Sequence, residues 1–220
     1  MTRIRVVTGF VPIEGHPRKA EEYSELGKGL RAIRAPFKAF YNTVEDCWLH
    51  KSLQQAGVFA LSHSMGDNPT KNTLAYHIVQ HQKTAWLGAA SIMDPGATTF
   101  VWLDYGILHV PGMTVDKINN FLGKIKDNDF AIPGCWGPER PSDDANPSWR
   151  FCGGLLVVPR KYLRRFHNEF MDRTMRNINL KRNVTWETND LARVEKYGSL
   201  PIRWYQADHN ASMVDNYDAI

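Results

Sequence analysis

Asp104 stands directly after the apolar run from Thr98 to Leu103 and is followed by Tyr105 and Gly106. In an open α/β sheet, ligands bind beyond the carboxyl ends of the strands. A carboxylate there costs free energy unless it is paired or meets a cation. Gly106 has no side chain and leaves room for a ligand beside it. The plain alternative is a surface turn with an ordinary aspartate. A second constellation is Trp186-Glu187-Thr188-Asn189-Asp190. Its carboxylates are three residues apart and share one face if the segment is helical. Either Glu187 or Asp190 could then take a proton from an acceptor hydroxyl. An N-terminal helix cap explains the same residues.

A third group, Asp208-His209, follows the last apolar segment. Both residue types ligate hard or borderline metals. Gly153-Gly154 would let backbone approach a ligand closely, or form a bulge. Trp136 and Trp149 lie on a long loop and suit a platform for a sugar or a base. No G-x-x-x-x-G-K-[ST] loop, no G-x-G-x-x-G fingerprint and no G-x-S-x-G elbow is present. That argues against P-loop ATPases, dinucleotide-binding dehydrogenases and α/β-hydrolases.

The elements that position these residues alternate. Ile4 to Thr8 reads as a buried strand, followed by a loop with Pro12, Gly15 and Pro17. Arg18 to Ile33 reads as a helix, Phe37 to Tyr41 as a strand, and Val44 to Gln55 as a helix capped by Asn42 or Thr43. Val58 to Leu61 is a short strand, and Ser64 to Thr70 a polar loop. Leu74, Ile78, Ala85, Ala89 and Ile92 then share one face of a long helix that Asp94-Pro95-Gly96 ends. Thr98 to Leu103 is a strand, and Thr114 caps the next helix. Phe130 to Ile132 is a strand. Pro133 to Ser148, with four prolines and two glycines, is a long loop of the kind that often serves function. Gly153 to Val158 is a strand, and Lys161 to Asn177 and Asn189 to Lys196 are helices. Ile202 to Gln206 closes the series. Such alternation predicts one α/β domain over residues 1–220, with a mainly parallel sheet between helices.

Composition sets outer limits. The chain has 220 residues, 43% hydrophobic and 23% charged, enough for a sizeable core. The apolar run from Ile4 to Val7 is too short for a signal segment, and no stretch nears the ~18 apolar residues of a membrane helix. A cytoplasmic protein without a membrane span is expected. Cys47, Cys135 and Cys152 lack the close spacing of zinc motifs and read as reduced thiols. Net charge is +4, but eight basic residues lie between Arg160 and Arg182 against Glu169 and Asp172. Arg164 and Arg165 sit within that stretch. It reads as a solvated helix face or as a surface for phosphates. The second possibility allows an alternative function, a non-catalytic nucleic-acid-binding module.

Several segments together resemble a known arrangement. Phe100-Val-Trp-Leu-Asp104-Tyr-Gly-Ile107 resembles the metal-binding strand end of GT-A glycosyltransferases. It is most similar to the HtrL/YibB-type bacterial family, whose motif reads roughly W-[IL]-D-x-G. Tyr76, Gln80, Lys83 and Ala89-Ala90 resemble that family's long helix. Cys152-Gly153-Gly154-Leu155 resembles its glycine pair, and the stretch from Trp186-Glu187 to Leu191 its acidic motif. Tyr205 to Tyr217 resembles its closing segment. The similarity runs from about Tyr41 onward.

The resemblance implies a GT-A-like fold and a nucleotide-sugar donor, a UDP-sugar first, bound with Mn²⁺ or Mg²⁺. Thr8, Phe10, Lys83, Asp104, Tyr105, Gly106, Gly153 and Gly154 would bind the donor. Gly106 replaces the last aspartate of the usual D-x-D, so Asp208 or His209 would complete the metal site with Asp104. Glu187 or Asp190 would be the base of an inverting reaction. Trp136, Trp149, Arg164 and Arg165 would meet the acceptor, a glycan or hydroxymethylated DNA.

Overall fold

The computed structural model describes residues 2–16, 19–58, 61–140 and 143–217. Pro17 in the first loop, Arg18 at the expected helix start, Phe59 and Ala60 in the third expected strand, and Pro141 and Ser142 in the long loop lie outside the described residues.

The strands are β1 (Ile4–Phe10), β2 (Phe37–Tyr41), β3 (Ser62–His63), β4 (Thr99–Leu103), β5 (Ala131–Gly134), β6 (Leu155–Pro159), β7 (Asn183–Val184) and β8 (Arg203–Gln206). The helices are α1 (Ala20–Leu30), α2 (Trp48–Gln55), α3 (Leu74–His81), α4 (Lys83–Met93), α5 (Val115–Lys124), α6 (Arg160–Lys181), α7 (Glu187–Tyr197) and α8 (Ser212–Asp215). Six strands form one sheet in the order β2-β1-β4-β6-β5-β8. β6 is antiparallel to β4 and β5, and every other pairing is parallel. Five strands thus run one way and β6 the other. The mainly parallel sheet expected from the sequence is present, with one reversed strand in its middle. β3 and β7 form a separate parallel pair.

Side-chain alternation explains the layering. Val7, Phe100, Trp102, Leu156 and Val158 point to one face, where α2, α3, α4, α6 and α7 supply Leu49, Ile78, Trp86, Leu87, Phe166, Phe170 and Leu191. Val6, Val101, Leu103, Leu155 and Val157 point to the other, where they meet Leu30 of α1, Phe121 of α5 and Met213 of α8. β4 and β6 are buried at every position, as continuous apolar runs covered on both faces should be.

Local signals read well where caps are local. Thr114 accepts from the Lys117 amide and opens α5 as expected, and an alanine there would cost about 1 kcal/mol. α2 starts at Trp48 and not at Val44, because the Thr43 hydroxyl turns to the Asp46 carboxylate. The expected long helix is two helices that meet at Gln82. The His81 carbonyl accepts from the Trp48 indole, and the Gln82 side chain accepts from the Trp48 amide. A side chain inserted this way interrupts the helical ladder. The break changes the buried face to Lys83, Trp86, Leu87 and Ala90, and leaves Ile92 83% exposed.

The reversed β6 has a further consequence. The carboxyl ends of β1, β4, β5 and β8 share one edge of the sheet with the lead-in to β6. Phe10, Asp104, Cys135, Asp208 and the turn Cys152-Gly153-Gly154 are gathered there from distant parts of the chain.

Candidate functional site

Asp104 follows the last residue of β4, and its amide donates to the Gly154 carbonyl. Its Oδ1 accepts from the Trp102 indole at 2.7 Å and lies 3.1 Å from Lys83 Nζ. A buried tryptophan usually finds a partner for its N–H, and here that need orients the carboxylate. Oδ2 takes no hydrogen bond from any described residue.

Lys83 comes from the first turn of α4 and is 4% exposed. Its ammonium meets Glu187 Oε1 at 2.8 Å, the Gly153 carbonyl at 3.0 Å and Asp104 Oδ1. An ammonium has three hydrogens, and all three are turned to the protein. Burial pulls the Lys83 pKa down, but Asp104 and Glu187 more than offset it, so the pKa is raised. Burial likewise pushes Glu187 up, and Lys83 brings it below its ordinary value. One ammonium between two carboxylates leaves the knot with a net charge of −1. Gly153 has φ +57, and a Cβ there would stand 2.6 Å from Glu187 Oε1, so a glycine is required. The expected strand from Gly153 therefore begins at Leu155.

A cavity of about 300 Å³ opens above this knot. Lys83, Asp104, Tyr105, Gly106 and Phe10 line it, as the sequence reading expects of donor residues. Phe10 and Tyr105 stack at 5.1 Å. Thr8 is fully buried within β1, and its hydroxyl finds no partner among the described residues. Thr8, Gly153 and Gly154 are not on the cavity wall.

A second cavity adjoins the first and shares Asn68, Lys71 and Tyr76 with it. Trp136, Trp149 and Trp186 line it, so the two loop tryptophans singled out in the sequence do come together. The Arg140 guanidinium lies 3.7 Å over the Trp136 ring. Tyr76, which faces both cavities, has its pKa pushed well up by burial and by the charges of Glu187 and Asp104. It stays a neutral phenol. No sequence signal marked Lys71 or Asn68. They belong to the polar loop before α3, whose place beside both cavities is set by tertiary packing.

The acidic motif is used differently from the expectation. Asp190 is 1% exposed and meets His81 Nε2 at 3.0 Å and the Arg193 guanidinium. Burial pushes its pKa up, and His81 and Arg193 bring it below the ordinary value. Neither Glu187 nor Asp190 lines either of these two cavities; the carboxylates on the second cavity are Asp67 and Asp143. Asn189 lies between the pair. Its side chain accepts from the Ser148 amide at 2.7 Å and donates to the Asp143 and Asn146 carbonyls. The motif thus holds Lys83 with Glu187 and the long loop with Asn189.

Asp208 and His209 do not join Asp104. Asp208 Oδ1 and His209 Nδ1 each lie 3.6 Å from Cys135 Sγ. Among the described residues, the group of three with mutually close ligand atoms is Cys135, Cys152 and His209, all within 4.8 Å. Three separate thiols were expected. The fold instead places the Cys135 and Cys152 sulfurs 3.8 Å apart.

Arg164 and Arg165 stand exposed on α6, away from both cavities. Half of the basic stretch is engaged. Arg160 donates to the Ser91, Asp94 and Ala97 carbonyls at the end of α4. Arg165 pairs with Glu169, Arg173 donates to the Tyr197 carbonyl, and Lys181 pairs with Asp144. That engages four of the eight basic residues on which the nucleic-acid-binding alternative rests.

Fold and site together define an α/β protein with paired cavities at the carboxyl edge of a mainly parallel sheet. No family model matches the chain, and no curated protein matches it. Solved structures do match. One is a glycosyltransferase involved in the glycosylation of the major capsid of PBCV-1, 17% identical over 93% of this chain and 81% of that one, with a TM-score of 0.49. A CMP:2-keto-3-deoxy-manno-octonic acid synthetase complexed with CTP is 10% identical over 94% and 90%, at 0.47. Mouse xyloside xylosyltransferase 1 is 10% identical over 93% and 84%, at 0.44. Among the described residues no helix is long and apolar enough to cross a membrane.

Proposed function

We propose that the protein is a glycosyltransferase that moves a hexose from a nucleotide-sugar, a UDP-sugar first, to a hydroxyl acceptor. The observation that carries this reading is the unpartnered Asp104 Oδ2 at the floor of an aromatic-walled cavity, above a knot of net charge −1. A nucleotide diphosphate brings its own negative charge, and Lys83 has no hydrogen left to give it. A divalent cation resolves both deficits. The donor set fits Mn²⁺ or Mg²⁺ held by one protein carboxylate, with the rest of the shell from phosphate oxygens and water. Bound there, the cation would supply charge stabilisation to the departing diphosphate.

The protein's own part is positioning. Trp102 and Lys83 fix Asp104, and Glu187 fixes Lys83. Phe10 and Tyr105 offer ring faces to the donor's base. Tyr76 stands between the cavities, where its hydroxyl can donate to donor or acceptor oxygens. Trp136, Trp149 and Trp186 give the acceptor flat apolar surfaces, suited to a sugar ring or an extruded hydroxymethylpyrimidine. Glu187 and Asp190, already committed to ion pairs, act as positioning residues and not as the base.

Thermal unfolding with a panel of nucleotides and nucleotide-sugars, with and without Mn²⁺, tests the donor site. A ligand specific to the folded state raises Tm by mass action. One nucleotide should raise Tm only with metal, and Asp104→Asn should abolish the rise and cut kcat by about 10²–10³-fold. No rise with any nucleotide would remove the basis of the reading. Glycans and hydroxymethylated DNA are then compared as acceptors, with steep loss of turnover in salt expected for DNA alone.

A further inference from the structure

Beside the donor cavity, across the Cys152-Gly153-Gly154 turn, lies a second group of ligating atoms with different chemistry. Cys135 follows β5, Cys152 precedes β6, and Asp208-His209 follows β8. Gly134 and Gln206 are register partners, which brings residue 135 beside residues 207–209. The separations are 3.8 Å for Cys135 Sγ to Cys152 Sγ, and 3.6 Å from Cys135 Sγ to both His209 Nδ1 and Asp208 Oδ1. His209 Nδ1 and Asp208 Oδ1 are 3.7 Å apart.

Cys135 Sγ, Cys152 Sγ and a His209 ring nitrogen all lie within 4.8 Å of one another, as three ligands of one tetrahedral ion would, while Asp208 falls outside that group. Zinc binds thiolate sulfur at about 2.3 Å and imidazole nitrogen at about 2.0–2.1 Å, so neighbouring ligands should lie about 3.8 Å apart for two sulfurs and about 3.5 Å for sulfur and nitrogen. A disulfide needs the sulfurs at about 2.05 Å.

The group is also prepared for a ligand. Asp208 Oδ1 accepts from the His209 amide at 2.7 Å, and the Asp208 amide donates to the Ser212 hydroxyl at 2.8 Å. The His209 ring stands edge-on to Trp149 at 4.3 Å. The His209 side chain is 41% exposed and Cys152 is buried, so the group is closed at one end and open to solvent at the other.

We propose that Cys135, Cys152 and His209 form a zinc site, its fourth position left to water, that ties the ends of β5 and β8 to the start of β6. Two thiolates and an imidazole select zinc over the hard cations suited to Asp104. The bound metal fixes the turn whose Gly153 carbonyl receives Lys83, so it holds the floor of the donor cavity without touching the donor. This assignment does not depend on the proposed reaction.

The test uses the full chain, stripped of metal by a chelator under reducing conditions and then titrated with Zn²⁺ or Co²⁺ alone. One Zn²⁺ should bind per chain and raise Tm. One Co²⁺ should give the visible bands of tetrahedral coordination together with a thiolate charge-transfer band. Cys135→Ser and His209→Ala should each weaken Zn²⁺ binding by at least about 100-fold, since losing even a ligand's supporting partner costs 10–100-fold. Both positions are partly exposed, so the variants should fold, and circular dichroism checks this. Asp104→Asn should leave stoichiometry and cobalt spectrum unchanged. The proposal is overturned if no metal binds, if the cobalt bands survive in both variants, if they vanish in Asp104→Asn, or if the non-reduced protein shows a Cys135–Cys152 disulfide.

Discussion

The two flanks of the Cys152-Gly153-Gly154 turn are built from opposite kinds of polar group. On one side, Lys83 meets Glu187, the Gly153 carbonyl and Asp104 at 2.8–3.1 Å. On the other, ligand atoms of Cys135, Cys152 and His209 lie within 4.8 Å of one another, and Cys135 Sγ has its partners at 3.6–3.8 Å. The first is architecture, because buried charges this well paired cannot be released for a substrate without a large penalty. The second is a set of soft ligand atoms held by long, weak contacts. The difference separates residues that hold a site from residues that fill one. Asp104 belongs to both kinds, with Oδ1 in the knot and Oδ2 open.

The largest expected effect comes from breaking the knot. Lys83→Met leaves two carboxylates facing each other without the cation and should destabilise the protein by about 3–5 kcal/mol in denaturant unfolding. Glu187→Gln in that background should recover part of the loss, which a double-mutant cycle would measure. If Lys83→Met were neutral, the knot would not be architecture.

Asn189→Ala comes next. It removes three hydrogen bonds and orphans the Ser148 amide, for about 2–3 kcal/mol. Proteolysis should then cut the loop at residues 143–148 before the protein unfolds globally.

Acid should act on the same flank. Glu187 and Asp190 have folded pKa values below their ordinary 4.5 and 3.8. Their contribution to stability is therefore complete above those ordinary values and is lost as pH falls through the lower folded values. A pH series of unfolding midpoints should decline from about pH 4 downward, and Asp190→Asn should flatten the decline.

Cys135→Ser in metal-free protein should shift stability by less than about 1 kcal/mol, because it removes only long, weak contacts. Arg165→Gln sets the lower limit, at about 0.3–0.5 kcal/mol for an exposed pair four residues apart on a helix. It should leave turnover and its salt dependence unchanged. A steep change with salt would return α6 to the acceptor site.

Much of the architecture was written locally. Hydrophobic period and turn residues set the alternation of strands and helices, and Thr114 marked its helix start because a cap reaches only three residues. Asp104 was legible for the same reason, as a carboxylate that ends a strand buried on both faces. Trp136 and Trp149 were legible as large aromatics on a long loop. Partner identity was not local. Glu187 and Asp190 read as a free acidic pair, since no pattern near them reveals Lys83 or His81, 104 and 109 residues away. Cys135 and Cys152 are 17 residues apart and fit no metal spacing, yet they meet because β6 runs backwards between β4 and β5. The sequence by itself determined which elements form and where the chain turns, because those choices depend on the nearest few residues. Only the tertiary structure decided which carboxylates are spent and which ligand atoms meet, because strand order sets those contacts between segments far apart in the chain.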